Sequence, residues 1–372
     1  MKVILTSLLV SLCLLSFAQN TYMLVGTYTN GKSVGVYVYD FNEANGTAKV
    51  VDSITTQNPS YLAVSPNQKF VYAVNEKNNH DKNGGKVSAF AFDRSTGHLK
   101  LLNQQPSMGD DPCYISIDKT GKWAAVANYS SGTFSILPIN ADGALGAPST
   151  TITDSGHGTN KERQEGPHVH STVISPDNRY LFVADLGTDK ESVYNFNDKN
   201  GKIKPFQEPF AKLQDGSGPR HFVLHPSGKW AYVTQELSGS VTAFDYANGK
   251  LKQIQTLGTL PKDYKGPLGT ADIHVSPDGK FLYVSDRGNA NTIAIMKIDQ
   301  KTGMLTMVGH ESTKGLTPRN FNFDPSGNYM LVANQNSDNI VVFKVNRQTG
   351  MLTYTGNEIK VGNPVCVKWI GR

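Results

Sequence analysis

The sequence predicts an all-β fold, a seven-bladed β-propeller with four antiparallel strands in each blade, and three observations carry that expectation. Gly 35 and Pro 18 together make about 14% of 372 residues, while charged residues are only 18%, below the roughly 25% of an average domain. A strand–turn–strand unit recurs six times along the chain. A polar-Gly turn followed by a short strand recurs seven times. Such a mix argues against long helices, coiled coil and disorder.

The hairpin unit reads YLAVSPNQKFVYAVNE (61–76), YISIDKTGKWAAVANY (114–129), STVISPDNRYLFVADL (171–186), HFVLHPSGKWAYVTQE (221–236), DIHVSPDGKFLYVSDR (272–287) and NFNFDPSGNYMLVANQ (320–335). Each is an apolar run, a Pro- or Gly-bearing turn, then a second β-branched and aromatic run. The second marker falls at Gly46, Gly97, Gly143, Gly201, Gly249, Gly303 and Gly350, separated by 51, 46, 58, 48, 54 and 47 residues. Glycine suits such turns because it accepts positive φ without a Cβ clash. Both markers give four strands per repeat of about fifty residues, the period of propeller blades.

The chain ends supply the missing hairpin. TYMLVGTYTN (21–30) reads as a second strand without its first, and NPVCVKWIG (363–371) resembles NPSYLAVSP (58–66), a first strand without its second. Terminal strands sharing one blade close the ring and remove the exposed edges of an open solenoid.

Met1 and Lys2, the mostly apolar run from Val3 to Phe17, and Ser16-Phe17-Ala18 predict a signal peptide over 1–18, leaving 19–372 as one exported domain, periplasmic or extracellular. That run is interrupted by Thr6, Ser7, Ser11 and Ser16 and is too short to span a bilayer. Cys13 follows bulky Leu12, which argues against lipidation. No other stretch predicts a membrane span. Cys113 and Cys366 fall on inner strands of non-neighbouring units, beyond the ~7 Å limit for a bridge, and are expected as free buried thiols. The net charge of +5 comes from 36 basic and 31 acidic residues without a basic run, so no nucleic-acid partner is implied. A monomer acting on a small molecule is expected.

In a propeller the inner strand of each blade runs antiparallel to the second, so the residues before one and after the other share a rim. Before inner strands stand Gly166-Pro167-His168-Val169-His170, Gly218-Pro219-Arg220-His221, Ala271-Asp272-Ile273-His274 and Pro318-Arg319-Asn320. After second strands stand Asn75-Glu76, Asn128-Tyr129, Ala184-Asp185, Gln235-Glu236, Asp286-Arg287 and Asn334-Gln335. The opposite rim carries turn formers such as Ser175-Pro176-Asp177. One rim is therefore chemically loaded. Asn and Asp at strand ends have a local role in Asx-type bonds, but His168, His170, Arg220, Glu236 and Arg287 converging on one mouth need partners or a ligand.

His168-Val169-His170 could offer two metal ligands, with His221 or Glu236 as a third, yet Arg220 and Arg287 would oppose a dication, so no metal and no cofactor is expected. The sequence has no C-x-x-C.

The motifs ANYSSGTFSILPI (127–139), RQEGPHVHSTVISPD (163–177), GSGPRHFVLHPSGKWAYVTQEL (216–237), IHVSPDGKFLYVSDRG (273–288) and PRNFNFDPSG (318–327) are similar to those of bacterial seven-bladed lactonases of the 6-phosphogluconolactonase type, a family that includes fungal carboxymuconate cyclases. The resemblance covers essentially the whole chain after the leader. It implies one propeller domain that opens a sugar lactone, with an active site at the mouth bearing His168, His170, Arg220, Glu236 and Arg287. The family's best-known substrate is a cytosolic phosphorylated lactone, whereas this chain carries an export signal, so plain lactones are also expected substrates.

For that chemistry, His168 or His170 is expected to activate water, since histidine titrates near working pH. Arg220 and Arg287 would clamp an oxyanion, carboxylate or phosphate, and Glu236 would orient the base or accept a proton. Asn128, Tyr129, His221, His274, Arg319 and Asn320 are candidate substrate contacts. Two other classes remain open: an exported propeller that binds an anion or partner without turnover, and a carboxymuconate-type lactonising or delactonising enzyme. The polar insert DSGHGTNKERQEG (154–166), which lengthens one repeat to 58 residues, is expected to fold over the mouth, with His157, Lys161 and Arg163 as side chains in reach of a ligand or as solvated surface.

Overall fold

A computed structural model describes residues 20–77 and 84–372. Their strands form seven antiparallel sheets of four, and the one helical element among the described residues is a single turn, Gln335–Ser337. Six sheets take their strands consecutively, beginning at Leu62, Pro112, Val169, Pro219, Thr270 and Pro318 (blades 1 to 6). Blade 7 joins Pro364–Gly371 to Asn20–Thr27, Gly35–Asn42 and Thr47–Thr55. Its inner pairing runs in register from Thr21↔Gly371 through Leu24↔Lys368 to Gly26↔Cys366, so the termini close the ring. Inner strands neighbour one another in sequence around the axis, and Pro364–Gly371 completes the circle by touching both Pro318–Phe323 and Leu62–Val64.

Adjacent blades are held face to face by apolar side chains at alternate positions of their strands. Between blades 3 and 4, Phe182 stacks on Phe222 with ring centroids 4.7 Å apart, beside Val233 and Phe244. Burial of each such side chain is worth about 1.5–3 kcal/mol.

The seven polar-Gly turns have a second job besides turning. Gly201 has φ +67, and a Cβ built there would enter the indole of Trp123 in the preceding blade. That indole donates Nε1–H to the Asp198 carbonyl at 2.9 Å. The same glycine-under-aromatic contact joins Gly46 to Tyr329, Gly97 to Tyr22, Gly143 to Phe70, Gly249 to Tyr180, Gly303 to Trp230 and Gly350 to Phe281. Each blade is thereby latched onto its predecessor. Cys113 and Cys366 are free and buried. The leader expected over 1–18 lies outside the described residues, among which no helix is long and apolar enough to cross a membrane.

Candidate active site

The mouth is made by one device used around the ring. In six sheets the pairing of inner and second strands slips by one residue just inside the inner strand's start. A bulge of this kind bends the strand and re-aims the extra side chain. The extra residue is Cys113, His170, Arg319 or Val365 in four blades, and lies within Arg220-His221 and Ala271-Asp272 in two. A second ring lies above it. The residue after each second strand donates its backbone N–H across the blade, as in Glu76 to Asn58, Tyr129 to Asp111, Glu236 to Gly218 and Arg287 to Gly269, which turns its side chain toward the axis.

These rings enclose a cavity of about 490 Å³ lined by Tyr28, Glu76, Cys113, Tyr129, Arg163, His170, Glu236, Arg287 and Arg319, with Leu268 and Thr317 at its edge. Glu236 is the hub. Its Oε2 accepts from Arg220 Nε at 2.8 Å and pairs with Arg287 Nη2 at 3.0 Å, while Oε1 accepts from Arg163 Nη2 at 2.8 Å. Across the cavity Tyr28 donates its hydroxyl to Glu76 Oε1 at 2.8 Å, and Arg319 lies over the Tyr28 ring with its guanidinium 5.3 Å from the centroid. Burial would raise the Glu236 carboxyl, but Arg287 and Arg220 outweigh it and hold Glu236 well below the usual carboxylate range. Burial together with Arg287 and Arg319 brings Arg220 down to about 10. Arg220 therefore stays charged at neutral pH.

Burial, Arg220 and His221 depress His170 well below 6.5, so at neutral pH its imidazole is neutral. Its Nδ1 lies 3.7 Å from the Cys113 sulfur, and its ring meets Tyr129 edge-on at 5.3 Å. His168 points elsewhere. It stacks on Tyr129 at 4.6 Å, its Nε2 meets Glu165 Oε1 at 3.0 Å, and its Nδ1 meets the Tyr129 carbonyl at 3.2 Å. Both nitrogens of His168 are therefore engaged away from the cavity, and only His170 of the H-x-H pair lines it. Among the described residues no three or more His, Cys, Asp or Glu are grouped to hold a metal ion.

Below the cavity the axis is plugged. His221 Nδ1 donates to Asp272 Oδ1 at 2.7 Å, leaving Nε2 to accept from Arg220 Nη1 at 3.2 Å. His274 Nε2 bonds Asp272 Oδ2 at 3.0 Å, and Asn320 bonds the same oxygen while accepting from the Val367 amide. Burial and Arg220 lower His221 to about 4, so it is a neutral link in this network. His221, His274 and Asn320 thus form the floor beneath Arg220 rather than the cavity wall. Asn128 is also turned away, donating Nδ2 to the Ser107 carbonyl at 3.1 Å. Tyr129 and Arg319 are the two expected substrate contacts that line the cavity.

The profile of the family "Lactonase, 7-bladed beta-propeller" matches residues 22–369. The chain is 42% identical to a 6-phosphogluconolactonase of Formosa agariphila over 85% of its length and 90% of the relative's. It is 35% identical to a 6-phosphogluconolactonase of Bacillus subtilis, covering 93% of this chain and 97% of that one. The solved structure of a periplasmic gluconolactonase from Pseudomonas aeruginosa superposes with a TM-score of 0.90 at 37% identity, covering 95% and 99% of the two chains. The chain belongs to this lactonase family. It is an enzyme of the carboxylic-ester hydrolase class.

Of the cavity residues of this lactonase, Tyr28 alone escapes the sequence reading, which places Glu76 on the loaded rim without a role and leaves Arg163 between ligand contact and solvated surface. Tyr28 occupies the same post-strand position as Glu76, Tyr129, Glu236 and Arg287, so the positional rule finds it once it is applied to the terminal blade. Arg163 belongs to the insert, which packs against the mouth. Gln164 anchors it, fully buried, by donating Nε2 to the Leu186 carbonyl and Asp189 Oδ1, each at 2.8 Å. His157 and Lys161 are exposed.

Proposed function

We propose that this lactonase hydrolyses a six-carbon sugar lactone to its aldonic acid, with His170 as the group that takes the proton from water. One observation supports this most: in a member of a lactonase family, His170, Glu236 and Arg287 line a single cavity of about 490 Å³, with buried Arg220 bonded to Glu236 behind it. His170 Nε2 makes no hydrogen bond to a described residue. Being neutral, it can accept a proton throughout the neutral range. A base this weak is matched to an ester that is already activated by its ring. As the tetrahedral intermediate forms, its negative charge falls beside Arg287, backed by buried Arg220, and raises the proton affinity of His170 in the same step. Glu236, ionised and gripped by three guanidiniums, fixes those donors rather than moving a proton.

The balance of charge around the cavity supports an anionic substrate. Arg163, Arg287 and Arg319 line the cavity with Glu76 and Glu236, a surplus of one positive charge that suits an anion such as 6-phosphogluconolactone, the substrate named for the relatives. A second reading, an exported enzyme for plain gluconolactone, is supported by the leader pattern at 1–18 and by the likeness to the periplasmic gluconolactonase. A pH-stat assay of both lactones tests the proposal. The parent should open at least one of them, and His170→Ala and Arg220→Ala, folded by circular dichroism, should lose about 10²–10³ in kcat/KM. Variants as fast as the parent would sink it.

A further inference from the structure

Resting on that reading, we infer that the 154–166 insert exists to present Arg163 as the specificity residue for a substrate's phosphate monoester, remote from the lactone ring. Four arginines stand in or behind the cavity wall, and Arg220 and Arg287 are spent on hydrogen bonds. Arg220 is 1% exposed and spends its donors on Glu236, His221 and the Ala271 carbonyl. Arg287 donates Nε to the Gly269 carbonyl as well as pairing with Glu236. Arg319 is 18% exposed and packed on Tyr28.

Arg163 differs in origin and in exposure. It comes from a connection between blades, its side chain is 44% exposed, and it lines the cavity. Only Nη2 is engaged, by Tyr129 and Glu236, while Nε and Nη1 make no hydrogen bond to a described residue. The segment holding it is built, not slack. Asn160 caps the turn through its carbonyl and side chain to the Arg163 amide, and its own amide donates to Gln164 Oε1 at 3.0 Å. Gly158 leaves room for the Gln164 amide, which a Cβ there would strike. A preorganised turn that offers unspent guanidinium N–H donors at Nε and Nη1 on the rim of a cation-rich cavity is an anion receptor. A phosphate there would also place its negative charge against the cavity's surplus positive charge.

The test compares 6-phosphogluconolactone with plain gluconolactone on Arg163→Gln. KM for the phosphorylated lactone should rise about 10–100-fold, any loss on the plain lactone should be at least about tenfold smaller, and Arg163→Lys should recover part of the phosphorylated-lactone loss. Equal losses on both substrates would overturn the inference, because Arg163 would then act through Glu236. No change on either would overturn it too. Calorimetry of the products separates this from the hydrolysis reading: a parent inactive on both lactones refutes hydrolysis alone. If it still binds 6-phosphogluconate more tightly than gluconate, and Arg163→Gln erases the difference, Arg163 recognises the phosphate. No preference in the parent, or one that survives the substitution, overturns the inference.

Discussion

Replacing Asp286 by Asn should stabilise the protein at alkaline pH and leave it nearly unchanged near pH 4. Asp286 ends the second strand of blade 5 and is 1% exposed. Its Oδ1 accepts from Thr259 and Thr270 at 2.8 and 3.1 Å, and its Oδ2 is buried with no hydrogen-bond partner. Burial outweighs these bonds and lifts the carboxyl from 3.8 to about 7. An acid whose folded pKa is raised costs nothing below its unfolded value, and the cost grows as pH rises to the folded value. At about 1.4 kcal/mol per pKa unit, the full cost above pH 7 is about 4 kcal/mol. Asn keeps the Oδ1 acceptor and never ionises. Three other blades already hold Asn here: Asn75, Asn128 and Asn334 donate Nδ2 to the carbonyls of Gln57, Ser107 and Thr313. With an unfolding entropy of about 0.7 kcal/mol/K for a chain near this size, the gain corresponds to a melting temperature about 6 °C higher at pH 8. Paired melts of parent and variant at pH 4.5 and 8 decide it. A difference independent of pH, or an Asn variant that melts lower at pH 8, would refute the burial argument.

Two further outcomes follow from the same geometry. Because burial, Arg220 and His221 hold His170 well below 6.5, kcat/KM corrected for spontaneous opening should stay level from pH 8 to pH 6. An inflection near 6.5 would mean that a solvated histidine or another group is the base. Gly201→Ala should cost about 2–4 kcal/mol in urea unfolding, combining a left-handed backbone with overpacking against Trp123. Gly228→Ala, with the same φ of +67 and nothing within 4 Å of its Cβ, should cost only about 1 kcal/mol, and equal costs would dismiss the aromatic latch.

The ring was legible because its signals are local and repeated. Hairpin turns and polar-Gly turns recur in every unit, and the split terminal blade is visible as two half-units, later matched strand to strand by Leu24↔Lys368. The mouth was legible as a rim, since strand direction alone assigns His170, Arg220, Glu236 and Arg287 to one end. Depth along the axis was not. His221, one residue after Arg220, lies in the floor because each bulge separates neighbouring residues into different layers. His168 and His170 have the i, i+2 spacing that would put both on one side of a regular strand, yet the slip at Val169/Ser171 sends only the second to the cavity. Arg163 was legible only as an undecided member of the insert. Its polar, glycine-containing surroundings have a solvated loop's composition, and only the burial of Gln164 reveals a built turn.

The bulge also accounts for how a symmetric ring comes to have an asymmetric site. Six of the seven blades present one extra side chain at the same height, and changing that residue leaves the strand pairing above and below intact. At five of these positions stand Cys113, His170, Arg220, Arg319 and Val365, with Ala271 filling the place in blade 5 that corresponds to Arg220 in blade 4. Small and apolar residues on blades 5 and 7 leave space, and Arg287 reaches into it from the ring above to meet Glu236. Cations are thus supplied at two heights, Arg220 below and Arg287 and Arg163 above, with Glu236 between them. That vertical order favours a ligand whose charge develops over Arg287 at the ring carbonyl while a second, permanent charge rests farther out, since a neutral ligand would leave Arg163 Nε and Nη1 without an acceptor.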